Sequence, residues 1–144
     1  MAVNIENVPV LFIDDDLVDG MSFQRGMKRA GLGENVNIMT SASEALDALR
    51  QRTIPFPCLI ILDLNMPVMS GFDFLEALRT DKTLKFLPVW VLSTSSSPDD
   101  VARAYDLNAT GYMVKTRVGH NFSAAIGLIR NYLEVVECLG LDGY

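Results

Sequence analysis

The sequence predicts an α/β domain in which one parallel sheet is covered by helices on both faces. The first observation is a set of five short apolar runs, several of them apolar on both strand faces, as a covered parallel sheet requires. The second is the helical periodicity of apolar residues between those runs. Right-handed crossovers would join these βα units into one open sheet. The predicted strands are Val8–Ile13, Val36–Met39, Cys58–Leu62, Pro88–Leu92 and Gly111–Val114.

Helix signals fill the gaps between the predicted strands. The stretch Ser41–Glu44 has the pattern of a capping box, and Ser97-Pro98 marks the start of the fourth helix. An apolar stripe from Phe122 to Val136 predicts a long last helix. The second helix is predicted by apolar residues on one helical face, namely Ala42, Ala45, Leu46 and Leu49.

Length and composition limit the classes of protein that fit. The chain has 144 residues, so we expect one domain over 1–144, with a core of about 8–137 and no output domain. Its net charge of −6 argues against a nucleic-acid partner. No apolar run approaches the roughly 20 residues that span a bilayer, so we expect no membrane association and a cytoplasmic protein. Cys58 and Cys138 are expected to be reduced packing residues.

Acidic residues end two of the predicted strands. Asp14 and Asp15 follow the first strand, and Asp63 follows the third. The carboxyl ends of parallel strands share one edge of the sheet, so these carboxylates should converge where a divalent cation and a phosphoryl group could be held. Taken alone, the Asp14-Asp15 pair could also be an acidic strand end or a helix cap. Asp16 and Asp19 are assigned to the start of the first helix and left out of the metal set.

Four sequence motifs occur in an order that resembles one family. They are Leu11–Asp16, Ile60–Gly71, Val91–Ser93 and Gly111–Lys115. The chain is similar over residues 8–137 to the receiver domains of two-component response regulators. The resemblance implies a flavodoxin-like, doubly wound sheet of strand order 2-1-3-4-5 and transfer of a phosphoryl group from a histidine kinase to Asp63. It also implies Mg²⁺, or Mn²⁺, held by Asp14, Asp15, Asp63 and the backbone carbonyl of Asn65.

Three further residues receive roles in this picture. Lys115 can place its ammonium on a phosphoryl oxygen, although a lysine after a strand could also be simply solvated. Ser93 offers a hydroxyl to the same group, with Thr94 as the competing residue and a turn as the plain alternative. By the resemblance, Tyr112 is the aromatic switch that couples Asp63 to the face of helix 4, strand 5 and helix 5. The alternative for Tyr112 is packing alone.

One position departs from the family pattern. The family usually has Lys-Pro at the end of strand 5 with a cis bond, and this chain has Lys115-Thr116. A cis bond before a non-proline residue costs about 2.5–4 kcal/mol, so the direction of the lysine must be fixed by other contacts. In having a polar residue after the lysine and a long apolar last helix, the chain resembles receivers that pair with phytochrome kinases. The expected phosphoryl donor is a sensor histidine kinase or a phosphotransfer protein, and a phytochrome-type kinase is one candidate.

Two other functions fit parts of the sequence less well than a phospho-acceptor does. An aspartyl-nucleophile phosphatase would carry a second acid two residues after Asp63, where this chain has Asn65. A receiver-shaped scaffold without phosphorylation is suggested only by Thr116. We therefore expect a signalling protein that catalyses only its own phosphorylation and dephosphorylation. By the resemblance, Asn65 and Ser95 would tune the rate of dephosphorylation. Two copies could also form a homodimer through residues beyond the core stripe of the last helix, namely Tyr132, Val135, Leu139 and Leu141.

Overall fold

A computed structural model describes residues 8–56 and 58–137. Five parallel strands form one sheet in the order β2-β1-β3-β4-β5, which confirms the predicted doubly wound fold. The first strand in sequence therefore lies inside the sheet, with later strands added on either side. The strands are β1 Val10–Ile13, β2 Val36–Met39, β3 Leu59–Leu62, β4 Val89–Ser93 and β5 Gly111–Val114.

The strand register aligns the carboxyl ends of the central strands. Ile13 at the end of β1 lies opposite Met39 of β2 and Leu62 of β3. The chain leaves β1 towards β2 on one side and later returns to β3 on the other. A switch in direction of this kind opens a crevice beyond the carboxyl ends of the two strands. The residues that follow Ile13 and Leu62 border that crevice.

Helices cover both faces of the sheet. The helices α2, α3 and α4 pack on one face, and α1 and α5 pack on the other. Because β1 and β3 contribute buried side chains to both cores, each is buried along its whole length. The helices are α1 Leu17–Arg29, α2 Ala42–Arg50, α3 Gly71–Thr80, α4 Pro98–Asp106 and α5 Ser123–Val135.

An aromatic cluster fixes α1 and α5 against β1. The rings of Phe12 and Phe23 stack with centroids 4.3 Å apart, and Phe122 meets them edge-on at 6.0 and 5.9 Å. Burying each of these rings contributes about 1.5–3 kcal/mol. Phe12 immediately precedes Ile13 at the end of β1, so this cluster sets where the first turn of α1 lies relative to the switch-point crevice.

Gly71 allows α3 to begin close to the end of β3. A Cβ atom on Gly71 would lie 2.2 Å from the carbonyl oxygen of Asp63, so any other residue would displace one of the two segments. Ser70 and Asp73 form a complete capping box at this helix start, with bonds of 3.1 and 3.2 Å. The turn after β3 is therefore held at both of its ends.

Several local predictions are refined by the structure. Ser41 accepts a hydrogen bond from the backbone of Glu44, which is one of the two bonds of the predicted capping box. Ser97 is the N-cap residue of α4, as the Ser97-Pro98 signal predicts, but its side chain makes no cap hydrogen bond. The last helix begins only after Phe122, which has a left-handed φ of 59°, a conformation that helical periodicity does not reveal.

The remaining predictions concern the two cysteines, the residues suggested for a dimer and membrane association. Cys58 is buried in the core, and Cys138 lies outside the described residues. Of the residues suggested for a dimer, Tyr132 packs edge-on against Trp90 and Val135 is 82% exposed. Leu139 and Leu141 lie outside the described residues, so dimerisation stays a prediction. In the two described stretches, no helix is long and apolar enough to cross a membrane.

Candidate functional site

Asp14 and Asp63 lie side by side at the switch point. The backbone N–H of Asp14 donates to Met39 at 3.1 Å, and that of Asp63 donates to Ile13 at 2.9 Å, which continues the sheet pairing one residue past the strands. Both carboxylates are buried, at 1% and 6% exposure, whereas Asp15 is exposed. One oxygen from each of Asp14, Asp15 and Asp63 lies within 4.8 Å of the others. The structure thus brings the three predicted acids together.

Burial raises the pKa values of the two inner carboxyls, and at Asp63 repulsion from Asp14 adds to the rise. Burial is the main cause for Asp63, and the charge of Asp14 adds to it, so its pKa rises from 3.8 to about 6. Lys115 and the backbone N–H groups of Asn65 and Leu64 act in the opposite direction. Burial also raises the pKa of Asp14, against the opposing effect of Lys115. At neutral pH, the two ionised carboxylates are therefore held together at a cost in stability.

The cluster formed by Asp14, Asp15 and Asp63 suits a hard divalent cation. Ions such as Mg²⁺ and Ca²⁺ bind carboxylate oxygens at about 2.0–2.6 Å, so ligands on opposite sides of an ion lie about 4–5 Å apart. The separation of up to 4.8 Å among the three carboxylates matches this span. Asn65 is exposed and its backbone N–H bonds to Asp63. The role predicted for its carbonyl as a further ligand stays a prediction.

Lys115 reaches the same crevice from the end of β5. Its Nζ donates to Asp14 and to Asp19 at 2.7 Å each and lies 3.9 Å from Asp63 Oδ1. Burial alone would lower the pKa of Lys115, but the hydrogen bonds and charges of these acids outweigh it and raise the pKa above its usual value. The direction of the lysine, which the missing proline left open, is therefore set by carboxylates.

Asp19 is the site residue that the sequence reasoning missed. It was assigned to the start of the first helix, and it does lie in the first turn of α1. Its carboxylate, however, binds Lys115 instead of serving the helix terminus alone. Its position, one helical turn past the acidic strand end, was the available signal, since that turn borders the switch-point crevice.

Ser93 and Tyr112 belong to a hydrogen-bond chain that leads away from the crevice. Ser93 is fully buried and accepts a hydrogen bond from the backbone of Ser95 at 3.1 Å, whereas Thr94 is exposed. The Tyr112 hydroxyl donates to the Ser95 carbonyl at 2.9 Å, and the Ser95 hydroxyl donates to Asp100 at 2.6 Å. Asp100 is in the first turn of α4, so its carboxylate serves this chain as well as the predicted helix start.

Comparison with known proteins identifies the family. The sequence model of the response regulator receiver domain matches residues 10–126. The chain belongs to this family. Receiver domains act in two-component signalling, where they take phosphoryl groups from histidine kinases, and phosphorylation on aspartate is characteristic of them. The acidic group described above is compatible with phosphorylation and with Mg²⁺ binding.

Similar receivers include proteins of known structure. Response regulator Rcp1 of Synechocystis sp. is 31% identical over 132 residues, which cover 88% of this chain and 90% of that protein. The Mn²⁺-bound crystal structure of Rcp1 matches with a TM-score of 0.77 and 28% identity, covering 92% and 99% of the two chains. The phosphorylated cyanobacterial phytochrome response regulator RcpA matches with a TM-score of 0.72 and 30% identity, covering 88% and 92%.

The electrostatic cost at this receiver site predicts a stabilising substitution. Without metal at neutral pH, Asp63→Asn should raise the free energy of unfolding by about 1–2 kcal/mol, because it removes a buried charge beside Asp14. The folded-state pKa of Asp63 is raised to about 6, so the cost is absent below the unfolded value of 3.8 and complete above 6. The gain should therefore shrink as the pH falls towards 4, as measured by urea unfolding.

The exposed Asp47 on α2 provides the matched control. Asp47→Asn removes the same charge and should change stability by less than about 0.5 kcal/mol. A metal-free Asp63→Asn protein that is less stable than wild type at neutral pH would contradict the electrostatic account.

Proposed function

We propose that this receiver accepts a phosphoryl group on Asp63 with the help of Mg²⁺, and signals through the surface formed by α4, β5 and α5. The observation that carries the proposal is the position of the Asp63 carboxylate. It lies buried at the switch point beside two further acids and 3.9 Å from the ammonium of Lys115. Among the acids of that group, Asp63 is the one against whose carbonyl oxygen Gly71 packs at the start of α3.

The chemistry is a nucleophilic displacement at phosphorus. An ionised carboxylate oxygen of Asp63 attacks, and a P–O bond forms while the bond from phosphorus to the donor breaks. When the donor is phosphohistidine, the imidazole nitrogen keeps the electron pair of the broken bond and takes up a proton from solvent. The raised pKa of about 6 still leaves Asp63 ionised at neutral pH, in the form that attacks.

A cation is needed because the nucleophile, the two neighbouring acids and the phosphoryl group are negative, and Lys115 supplies only one positive charge among them. The ligands would be the carboxylates of Asp14, Asp15 and Asp63 and the backbone carbonyl of Asn65. When bound, Mg²⁺ supplies charge neutralisation for these groups and for the phosphoryl oxygens. Mg²⁺ is favoured because all of the donors are oxygens, and Mn²⁺ suits the same ligand set.

Lys115 and Ser93 complete the phosphoryl site in this proposal. The Lys115 ammonium can donate to one phosphoryl oxygen, because its third N–H is not used by Asp14 or Asp19. The Ser93 hydroxyl accepts from Ser95, which leaves its own proton for another phosphoryl oxygen. Both are neutral or positive donors, which is what the charge of an aspartyl phosphate needs.

Phosphorylation would reach the output surface through the β4–α4 loop. A shift of Ser93 towards the phosphoryl group would pull on Ser95, whose carbonyl binds the Tyr112 hydroxyl and whose side chain binds Asp100 of α4. One loop residue therefore joins Ser93 to β5 and to α4. This gives the switch role of Tyr112 a physical route.

Incubation with acetyl phosphate and Mg²⁺ tests the phosphorylation directly. Wild type should gain one phosphoryl group, and Asp63→Asn should gain none because the amide is not a nucleophile, as measured by intact-mass spectrometry. The charge-matched Asp47→Asn protein should be labelled like wild type. Equal labelling of Asp63→Asn and wild type would sink the assignment.

The donor proposed for this receiver is a phytochrome-type histidine kinase. Support comes from the similarity to RcpA, which is a phytochrome response regulator. A phytochrome kinase from the same source organism should phosphorylate this chain faster than an unrelated sensor kinase does, in a phosphotransfer time course. Equal rates with both kinases would refute the choice of donor while leaving Asp63 as the acceptor.

A further inference from the structure

The Lys115 ammonium has two carboxylate partners, and they are not equivalent. Asp14 belongs to the group of three acids that could hold a metal ion, and Asp19 lies outside that group among the described residues. Each accepts a hydrogen bond of 2.7 Å from Nζ. A carboxylate that binds a divalent cation has less negative charge to offer a lysine, so the pairing with Asp14 weakens when the metal site is filled.

Asp19 keeps its charge when the metal site is filled. Its side chain is 26% exposed, against 2% for Asp14. The ionised carboxylate of Asp19 therefore loses less hydration than that of Asp14. Asp63 Oδ1 is 3.9 Å from Nζ, which is too long for a hydrogen bond. In the metal-bound protein, Asp19 is thus the acid best able to hold the lysine in the crevice.

The backbone around Asp19 is rigid enough for that task. Asp16 caps α1 by accepting from the backbone N–H groups of Val18 at 2.9 Å and Asp19 at 3.3 Å. The next residue, Gly20, packs so closely on β2 that a Cβ atom would lie 2.9 Å from Ile38 Cγ2. These contacts hold the backbone of Asp19 close to the sheet, at a position from which its carboxylate reaches Lys115.

Lys115 needs such a partner because its side chain is a flexible four-carbon stem. The chain turns directly after β5 into a single 3₁₀ turn, Lys115–Arg117, so the ammonium must reach back across the sheet edge to the site. An unpaired ammonium would sample many rotamers and lose side-chain entropy on binding a phosphoryl oxygen. A partner that holds it beforehand removes that loss.

We propose that Asp19 is a positioning residue that holds the Lys115 ammonium beside Asp63 while Asp14 binds the metal. Two N–H donors then remain for phosphoryl oxygens. The inference rests on the proposed function, since it assigns Asp19 a role in the reaction of Asp63 with a phosphodonor. The reaction itself is unchanged.

The rate of phosphorylation by acetyl phosphate at saturating Mg²⁺ tests this role. Asp19→Ala should lower the second-order rate constant roughly tenfold, the effect of losing one charge-assisted hydrogen bond. Asp19→Asn keeps an acceptor oxygen without the charge, so its rate constant should lie between those of wild type and Asp19→Ala. Asp47→Ala removes the same side chain from an exposed helical site and should react at the wild-type rate. Circular dichroism and thermal unfolding establish that each variant is folded.

A double-mutant cycle separates positioning from a general effect of charge or folding. Lys115→Met should slow the reaction strongly, and adding Asp19→Ala to it should change the rate less than about twofold, because the group that Asp19 positions is already gone. If Lys115→Met reacts too slowly for a rate to be measured, the same four proteins can be compared by their affinity for beryllofluoride, a mimic of the phosphoryl group.

The outcomes distinguish the two proposals. If wild type is labelled and Asp19→Ala reacts at the wild-type rate, the positioning role is overturned and Asp63 stays the acceptor. The same conclusion follows if Asp19→Ala causes an equal loss with and without the Lys115→Met substitution. Unlabelled wild type, or labelling of Asp63→Asn, overturns the phosphorylation at Asp63 and the role of Asp19 with it.

Discussion

The burial of two neighbouring carboxylates is the constraint on which the site depends. Asp14 and Asp63 lie next to each other because β1 and β3 are neighbours in register. Both are nearly inaccessible to water, and burial raises the pKa of each. A cation can relieve this cost, and so can the Lys115 ammonium. The site is thus built to favour positive charge, and a phosphoryl group can enter only with enough of it present.

The remainder of the fold holds these charges at fixed distances and carries their state outwards. The Phe12, Phe23 and Phe122 rings fix α1 on β1, so the acid in the first turn of α1 stays beside the lysine from β5. On the opposite face, Ser95 connects buried Ser93 to Tyr112 and to α4. The contacts that set the charge of the site and the contacts that would report it therefore belong to different helices.

The sequence predicted features that depend on local pattern, and it missed those that depend on long-range contacts. Strands buried on both faces have apolar residues throughout, so the five runs were recognised and the order of the sheet followed from the family resemblance. The acids at Asp14 and Asp63 were found because they end such runs. Asp19 was not, because its partner is 96 residues away in the chain. The left-handed conformation of Phe122 and the lack of a side-chain cap bond at Ser97 were also missed, because backbone angles and cap bonds are decided by tertiary packing.

Proton release on Mg²⁺ binding is the measurement that tests the central claim most directly. A cation must displace the proton of any neutral carboxyl that it binds. Because the pKa of Asp63 is raised to about 6, calorimetric titrations in buffers of different ionisation enthalpy should detect release of at least about half a proton per Mg²⁺ at pH 6. Proton release should be close to zero at about pH 8. At about pH 6, Asp63→Asn should release fewer protons per Mg²⁺ than wild type, because the proton of Asp63 is missing. Mg²⁺ binding without proton release at pH 6, or with equal release from Asp63→Asn, would contradict the account.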